Sequence, residues 1–184
     1  MAMNGAMVME ESRPVGAGAT GEMLGRGLSV VDVLLTLARV RQPISRAWLH
    51  KYNIEYSQRA LRWALARLEG AGYVIRVGRE YSIAPSVFAS PNVFLPPTRP
   101  GIAEVDILLL VLSGVKRPKH FFSKLYGGGK LVEYTYRNAV RRLVRLGYLE
   151  RDRGRWYRPG KRTMALLTAS VIIYERDNSN VSKR

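Results

Sequence analysis

The sequence contains no cysteine and only two histidines. Without thiols the chain can form neither a disulfide nor a thiolate metal site, and His50 and His120 cannot complete a zinc site alone. Neither histidine has an acid or a nucleophile at a recognisable catalytic spacing. We therefore predict no metal, no cofactor and no enzymatic activity, with both histidines on the surface.

The sequence also lacks an apolar run of about 18 residues or more, so we expect no membrane span. Residues 1–27 are rich in glycine, alanine and methionine and lack the apolar core of a signal peptide. We interpret them as a disordered leader. The expected location is cytoplasmic and nucleoid-associated.

Acidic residues are scarce, since 14 Asp and Glu stand against 30 Lys and Arg, a formal charge of +16. Residues 28–99 carry +6 of this charge and residues 100–163 carry +10. Such an excess favours a polyanionic partner. Arginine outnumbers lysine 23 to 7, which suits bidentate contacts to phosphates and guanine edges. Genome composition or a hot habitat is an alternative cause of the arginine excess.

What the sequence does contain is an internal repeat at an offset that rises only from 74 to 76. The matching segments are Val31-Asp32-Val33-Leu34-Leu35 with Val105-Asp106-Ile107-Leu108-Leu109, Gly72-Tyr73 with Gly147-Tyr148, and Gly78-Arg79-Glu80-Tyr81 with Gly154-Arg155-Trp156-Tyr157. Because order and spacing both persist, the chain consists of two copies of one module.

Apolar spacing predicts three helices and a β-hairpin in each copy, a fold class that is mainly α with small β-hairpins (α+β). The predicted helices span 28–39, 44–51 and 57–69 in the first copy, and 102–113, 119–126 and a third from near 133 in the second. Ser29 and Ser57 are placed as N-caps. Each third helix is expected to end at the glycine of a Gly-Tyr pair, with hairpins at 73–83 and 148–158.

A shared run of residues identifies the class of module. The run is Leu65, Leu68, Gly72, Tyr73, Arg76, Gly78, Arg79 and Tyr81 in the first copy, and Val140, Leu143, Gly147, Tyr148, Arg151, Gly154, Arg155 and Tyr157 in the second. It resembles the winged helix-turn-helix regulators of the MarR, ArsR and PadR type, over most of residues 28–158. The resemblance implies tandem winged helix-turn-helix domains at 28–84 and 102–160, joined by a proline-rich linker at 85–101 and followed by a C-terminal segment at 161–184.

In winged helices the third helix enters the major groove and the hairpin tip reaches phosphates. With the apolar stripe inward, the outward faces carry arginine, tyrosine and asparagine and no acid, unlike an ordinary solvated face. The candidate DNA-binding residues are Arg59, Arg62, Arg67, Arg76 and Arg79 in the first copy, and Tyr134, Arg137, Asn138, Arg141, Arg145, Arg151, Arg153 and Arg155 in the second. On the first of these faces Trp63 and Ala66 leave open packing against a partner.

The sequence therefore predicts a double-stranded DNA-binding protein, first of all a transcriptional regulator. Two alternatives stay open: a tandem winged-helix scaffold for protein–protein contacts, and a sequence-independent DNA-coating protein.

Segments outside the repeat carry further expectations. The proline-rich linker contains enough apolar residues to pack against one module. Residues 164–174 are almost wholly apolar, with a helix expected in the first part. That segment either forms a homodimer or packs on its own chain. Trp48, Phe121 and Phe122 are expected in the core or between modules. The glycines before Lys130 indicate a turn, because the phosphate-loop pattern is absent.

Overall fold

The computed structural model describes residues 27–52, 56–154 and 156–168. These residues form a mixed fold of α-helices and small antiparallel sheets. The helices are α1 Ser29–Val40, α2 Arg46–Tyr52, α3 Gln58–Gly70, α4 Ala103–Leu112, α5 Pro118–Leu125, α6 Lys130–Arg145 and α7 Lys161–Thr168. The strands are β1 Ile44–Ser45, β2 Val74–Val77, β3 Glu80–Ile83, β4 Phe88–Ser90, β5 Val93–Phe94, β6 Leu149–Arg151 and β7 Tyr157–Pro159. No helix in the described ranges is long and apolar enough to cross a membrane.

The element order of the first copy recurs in the second. Three helices and a hairpin, α1–α2–α3–β2–β3, are followed by α4–α5–α6–β6–β7. In the first copy β1 adds a third strand, in the order β1-β3-β2. The second copy keeps one bond of that kind, because the Tyr157 N–H donates to the Lys116 carbonyl at 3.0 Å. The repeat in sequence is thus a repeat in structure.

The start of the second helix in the first copy was predicted wrongly. Residues 44–45 form β1 instead of helix, because Ile44 pairs with Tyr81 of β3 and its side chain is buried. This pairing joins residues far apart in the chain. A local apolar pattern therefore cannot reveal it.

Helix starts were predicted with mixed success. Ser57 caps α3 as expected, since its Oγ accepts from the Ala60 N–H at 3.2 Å. The prediction for Ser29 is wrong: Leu28 is the N-cap and its carbonyl accepts from the amides of Val31 and Asp32. Helix α6 begins about one turn before residue 133, directly after Gly129, whose φ of 92° ends the preceding turn.

Both third helices end as the Gly-Tyr pairs predict. Gly72 and Gly147 have φ of 79° and 75°, the left-handed region that favours glycine. The amides of Tyr73 and Tyr148 donate back into the helix, to the carbonyls of Leu68 and Leu143, each at 2.9 Å. This bond closes a Schellman motif. The motif therefore fixes the backbone position from which each tyrosine side chain extends.

The apolar side chains of both copies form one buried cluster. Helices α1 and α4 are buried over most of their length and contact each other. Phe122 is fully buried, as expected, whereas Phe121 is 47% exposed. Neighbouring residues on a helix point about 100° apart, so only one of the two can face the core. Trp48 is partly buried and stacks on Tyr52 with 3.8 Å between ring centroids.

The repeated aspartates and tyrosines bind each other across the two copies. Asp32 of the first copy accepts a hydrogen bond from the Tyr148 hydroxyl of the second at 2.5 Å. Asp106 of the second copy accepts one from the Tyr73 hydroxyl of the first. All four residues are buried. We call this pair of exchanged bonds the reciprocal clasp. It ties the start of α1 to the end of α6, and the start of α4 to the end of α3.

The two halves of the clasp differ in charge. Asp32 also accepts from the Arg162 guanidinium of α7, at 2.6 Å and 3.2 Å, in a buried ion pair. Asp106 instead accepts from the Tyr126 hydroxyl at 2.5 Å and from the Gly101 amide at 3.0 Å. Within the described residues no salt bridge reaches Asp106. One carboxylate is compensated by a cation and the other only by neutral donors.

A glycine precedes each first helix because the clasp leaves no room for a side chain. A Cβ at Gly101 would collide with the Tyr73 hydroxyl, and one at Gly27 with the Tyr148 hydroxyl. These glycines stand at the repeat offset of 74. Contact with the tyrosine hydroxyl thus explains why glycine repeats at this position, which the periodicity of apolar residues does not explain.

Segments outside the repeat also pack on the body of the protein. The described part of the C-terminal segment, α7, packs against α1, and the Thr163 hydroxyl donates to the Tyr148 carbonyl at 2.8 Å. The proline-rich segment forms the β4–β5 ladder, buries Val87 and contacts α4 through β5. Residues 169–184 lie outside the described residues. A homodimer through the C-terminal segment stays a prediction.

Asp32→Asn is expected to destabilise the chain far more than Asp106→Asn at neutral pH. The first change leaves the buried Arg162 guanidinium without its anion and costs about 3–5 kcal/mol. The second leaves no cation unpaired and costs about 1 kcal/mol or less. Urea unfolding of both variants measures the free energies of unfolding. Equal losses would contradict the charge assignment.

The clasp also predicts a pH dependence. Burial raises the pKa of Asp106 to about 6, although hydrogen bonds from Tyr126 and Gly101 oppose the shift. The unfolded pKa is about 3.9, so between the two values the folded chain binds more protons. Stability therefore falls, by up to about 3 kcal/mol, as the pH rises from about 4 to about 6, and this contribution is constant above. The test is urea unfolding of the wild type and Asp106→Asn across that range. Parallel stability curves would disprove it.

Candidate nucleic-acid interface

Helix α3 carries its first two candidate arginines on an exposed face. It buries Leu61, Ala64, Leu65 and Leu68, the stripe that the sequence predicts. Arg59 and Arg62 lie on the opposite, exposed side. Neither makes an ion pair in the described part of the chain. Both guanidinium groups are therefore available to an external anion.

Arg67 lies in a different setting from these two. Its guanidinium sits over the ring of Trp63, 5.0 Å from the centroid, while Trp63 remains 52% exposed. Both residues line a cleft of about 320 Å³ that also includes Glu104 and Arg142 of the second copy. Those two form a salt bridge of 2.6 Å. The C-terminal half of α3 therefore faces a space shared with the other copy.

Helix α6 exposes a wider set of candidate residues. It buries Tyr136, Ala139, Val140 and Leu143 against the core, again as predicted. On the other side Tyr134 is 65% exposed, and the exposed arginines are Arg137, Arg141 and Arg145. Asn138 is half-buried at the edge of this face.

The expectation of an acid-free face on α6 is wrong. The Glu133 carboxylate accepts from the Lys119 ammonium at 2.8 Å and from the Arg137 guanidinium at 2.9 Å. Hydrogen bonds from Lys119 and Arg137 lower the pKa of Glu133, so it is ionised at neutral pH. Because α6 begins at Lys130 and not near residue 133, Glu133 lies within the helix, one turn before Arg137.

The two hairpins place exposed arginines beside the helices. The Arg76 Nε donates to the Gly78 carbonyl at 3.0 Å, and its guanidinium lies 5.9 Å from the Tyr81 ring centroid. Arg79, in the turn, is exposed, and so are Arg151 and Arg153 of the second hairpin. Arg155 lies outside the described residues.

The start of helix α5 adds cations that the sequence pattern does not predict. Arg117 and Lys119 line a groove of about 680 Å³ together with Arg137 of α6 and Arg151 of the second hairpin. The lysine lies 14 residues from its partner Glu133 along the chain. No periodic pattern links such positions. Only the packing of α5 beside α6 brings them together.

Most of the candidate arginines are free to bind an external anion. In the described residues all of them are exposed, and all except Arg137 lack a carboxylate partner. Other arginines of these elements are paired, such as Arg158 of the second hairpin with Glu150 at 3.0 Å. Exposed cations without a carboxylate partner also lie elsewhere in the described residues, for example Lys51 and Lys161, but each third helix and each hairpin carries at least two such arginines.

The described residues hold no group of histidine, cysteine, aspartate or glutamate able to bind a metal ion. No protein-family model, curated protein or solved structure matches the chain.

Glu133→Gln is expected to strengthen binding to a polyanion, because it releases Lys119 and Arg137. The measurement is the salt concentration at which the chain elutes from immobilised heparin. Glu150→Gln is the matched control, since it makes the same change of charge at the pair with Arg158. We expect Glu133→Gln to elute at higher salt than the control. Equal elution would show that the position of the charge does not matter.

Proposed function

We propose that the chain is a tandem winged helix-turn-helix protein that binds double-stranded DNA and acts as a transcriptional regulator. Helices α3 and α6 would be the major-groove helices, and the hairpins β2–β3 and β6–β7 the wings. The observation that carries the proposal is the set of exposed, unpaired arginines on these four elements in both copies.

The element order supports the choice of module. In each copy the third helix is followed directly by a hairpin, and a short segment before the second helix pairs with that hairpin. A helix-turn-helix with a wing has this arrangement. It places the third helix and the wing next to each other, where both reach one duplex.

The reciprocal clasp supports a joint use of the two copies. Its buried hydrogen bonds link each copy to the end of the other copy's third helix. Helices α3 and α6 are therefore held in one orientation, as in a dimeric regulator. The proposal then implies two half-sites about 34 Å apart, one turn of the duplex.

The chemistry of the two faces favours DNA over a protein partner. Arginine is also common in protein–protein interfaces, so the distinction rests on the excess of one sign of charge, which favours a polyanionic partner. Among the described residues no acid pairs with Arg59, Arg62, Arg141 or Arg145 on the faces of α3 and α6. Arginine matches phosphate oxygens and guanine edges. The unequal faces of the two copies also favour unequal half-sites.

The decisive test is a gel-shift titration on duplex DNA with two paired variants. Arg59→Ala with Arg62→Ala and Arg141→Ala with Arg145→Ala are each expected to weaken binding by about 10- to 100-fold. Lost phosphate contacts also reduce the slope of log affinity against log salt. The matched control is Lys51→Ala with Lys161→Ala, which removes two exposed charges that lie on α2 and α7.

Three outcomes separate the candidate functions. Affinity that is lost in the arginine pairs and kept in the lysine pair supports the proposal. Equal losses in all three, with no preference among competitor duplexes, would indicate a sequence-independent coating protein. No binding of the wild type at low salt would rule out DNA and leave the scaffold.

A further inference from the structure

Two phenol side chains form part of the lining of the groove between α5, α6 and the second hairpin. Tyr136 of α6 is 7% exposed and Tyr157 of β7 is 9% exposed, and both line the groove. Neither hydroxyl has a hydrogen-bond partner in the described residues. The hydroxyl oxygens are not enclosed, because among the described residues the only enclosed side-chain polar atom without a partner is Arg39 Nε. The two hydroxyls therefore open onto the groove, where they can donate to the atoms of a ligand.

The two hydroxyls are neighbours and both are donors. Burial raises the pKa of Tyr136, and the nearby Tyr157 raises it further. The hydroxyl of Tyr136 therefore keeps its proton at neutral pH. A protonated phenol donates one hydrogen bond, so the pair can serve a ligand that offers acceptor oxygens.

The positions of these rings are set by the fold. The Tyr136 ring packs on Phe122 with 5.4 Å between centroids. Tyr157 is held by its amide, which donates to the Lys116 carbonyl at 3.0 Å, and lies opposite Arg151 in the β6–β7 ladder. The hydroxyls are thus preorganised, which lowers the entropy cost of binding a ligand.

The rest of the groove supplies positive charge. Arg151 and Arg117 have no carboxylate partner in the described residues, and Arg117 lies 5.6 Å from the Trp156 ring centroid. Lys119 and Arg137 share the single carboxylate of Glu133. Four cations thus stand against one anion. A ligand that fits must carry negative charge and several acceptor oxygens.

We propose that this groove binds a phosphate group, with Tyr136 and Tyr157 donating to its oxygens and Arg117 and Arg151 neutralising its charge. The volume of about 680 Å³ exceeds that of one phosphate, so the group can remain attached to a larger molecule. That molecule is either a DNA strand, in which case the inference rests on the proposed function, or a small phosphorylated ligand.

The first copy lacks this pair of phenols. Leu61 of α3 stands at the repeat position of Tyr136 and is fully buried. Tyr81, the counterpart of Tyr157, is only partly buried. The phosphate site therefore belongs to the second copy alone. Tyr81→Phe is the control in the same chain, since it removes a phenol from the equivalent strand.

The test uses the full chain with Tyr136→Phe and Tyr157→Phe together. Each change removes only a hydroxyl without a protein partner, so the Tm of the free variant should stay equal or rise. The first measurement is the shift in Tm when sodium phosphate replaces sodium chloride at the same ionic strength. The second is the affinity for a duplex in a gel-shift titration. Because the lost hydrogen bond would be to a charged group, we expect the affinity to fall about tenfold for each hydroxyl removed.

Two results would support the site and identify which kind of ligand carries the phosphate. A phosphate-induced rise in Tm that Tyr81→Phe keeps and the double variant loses assigns the groove to a small phosphate ligand. No such rise, with duplex affinity at least about tenfold lower in the double variant only, assigns it to the DNA backbone.

If the double variant equals the wild type in both measurements, the phosphate site is wrong, and the proposed function stands as long as the wild type binds the duplex. If the wild type binds no duplex but keeps a tyrosine-dependent Tm shift, the proposed function fails and the phosphate site stands.

Discussion

Two buried carboxylates, each held by a tyrosine from the opposite copy, determine how the two halves of this protein fit together. Asp32 and Asp106 lie inside the shared core, where an unpaired polar group is costly. The hydrogen bonds from Tyr148 and Tyr73 to these carboxylates are made only when the copies are docked. The glycines before α1 and α4 leave space for the tyrosine hydroxyls. The orientation of α3 relative to α6, and so the geometry of any joint surface, depends on this clasp.

The clasp is symmetric in position but not in charge. Asp32 shares its environment with the Arg162 guanidinium, whereas Asp106 has only neutral donors and a raised pKa. The Arg162 guanidinium of α7 thus completes one half of the clasp, and this helix becomes part of the buried interior. The same divergence appears outside, where Tyr136 replaces Leu61 and the charge of the second copy is larger. The duplicated fold supports two unlike surfaces.

The proposed function depends on which cations stay unpaired. Internal pairing uses Arg142, Arg158 and Arg162, so these arginines are less available to a ligand. The other arginines of the third helices and hairpins, except Arg137, have no carboxylate partner in the described residues, and the proposed DNA contacts rest on them. Glu133 partly neutralises the positive charge at one place, where its carboxylate pairs with Lys119 and Arg137. The groove beside it adds hydroxyl donors, and the proposed phosphate site follows from that combination.

The sequence by itself determined the repeat, the order of three helices and a hairpin in each copy, the buried stripes of α3 and α6, and the exposure of the candidate arginines that the structure describes. These features follow from local periodicity and from glycine at positive φ, which neighbouring residues specify. The tertiary structure alone decided that Ile44–Ser45 is a strand, that α7 packs on α1, that Glu133 pairs with Arg137 and Lys119, and that each tyrosine reaches the other copy's aspartate. Most of these contacts join residues remote in the chain, and a one-dimensional pattern carries no distance between them.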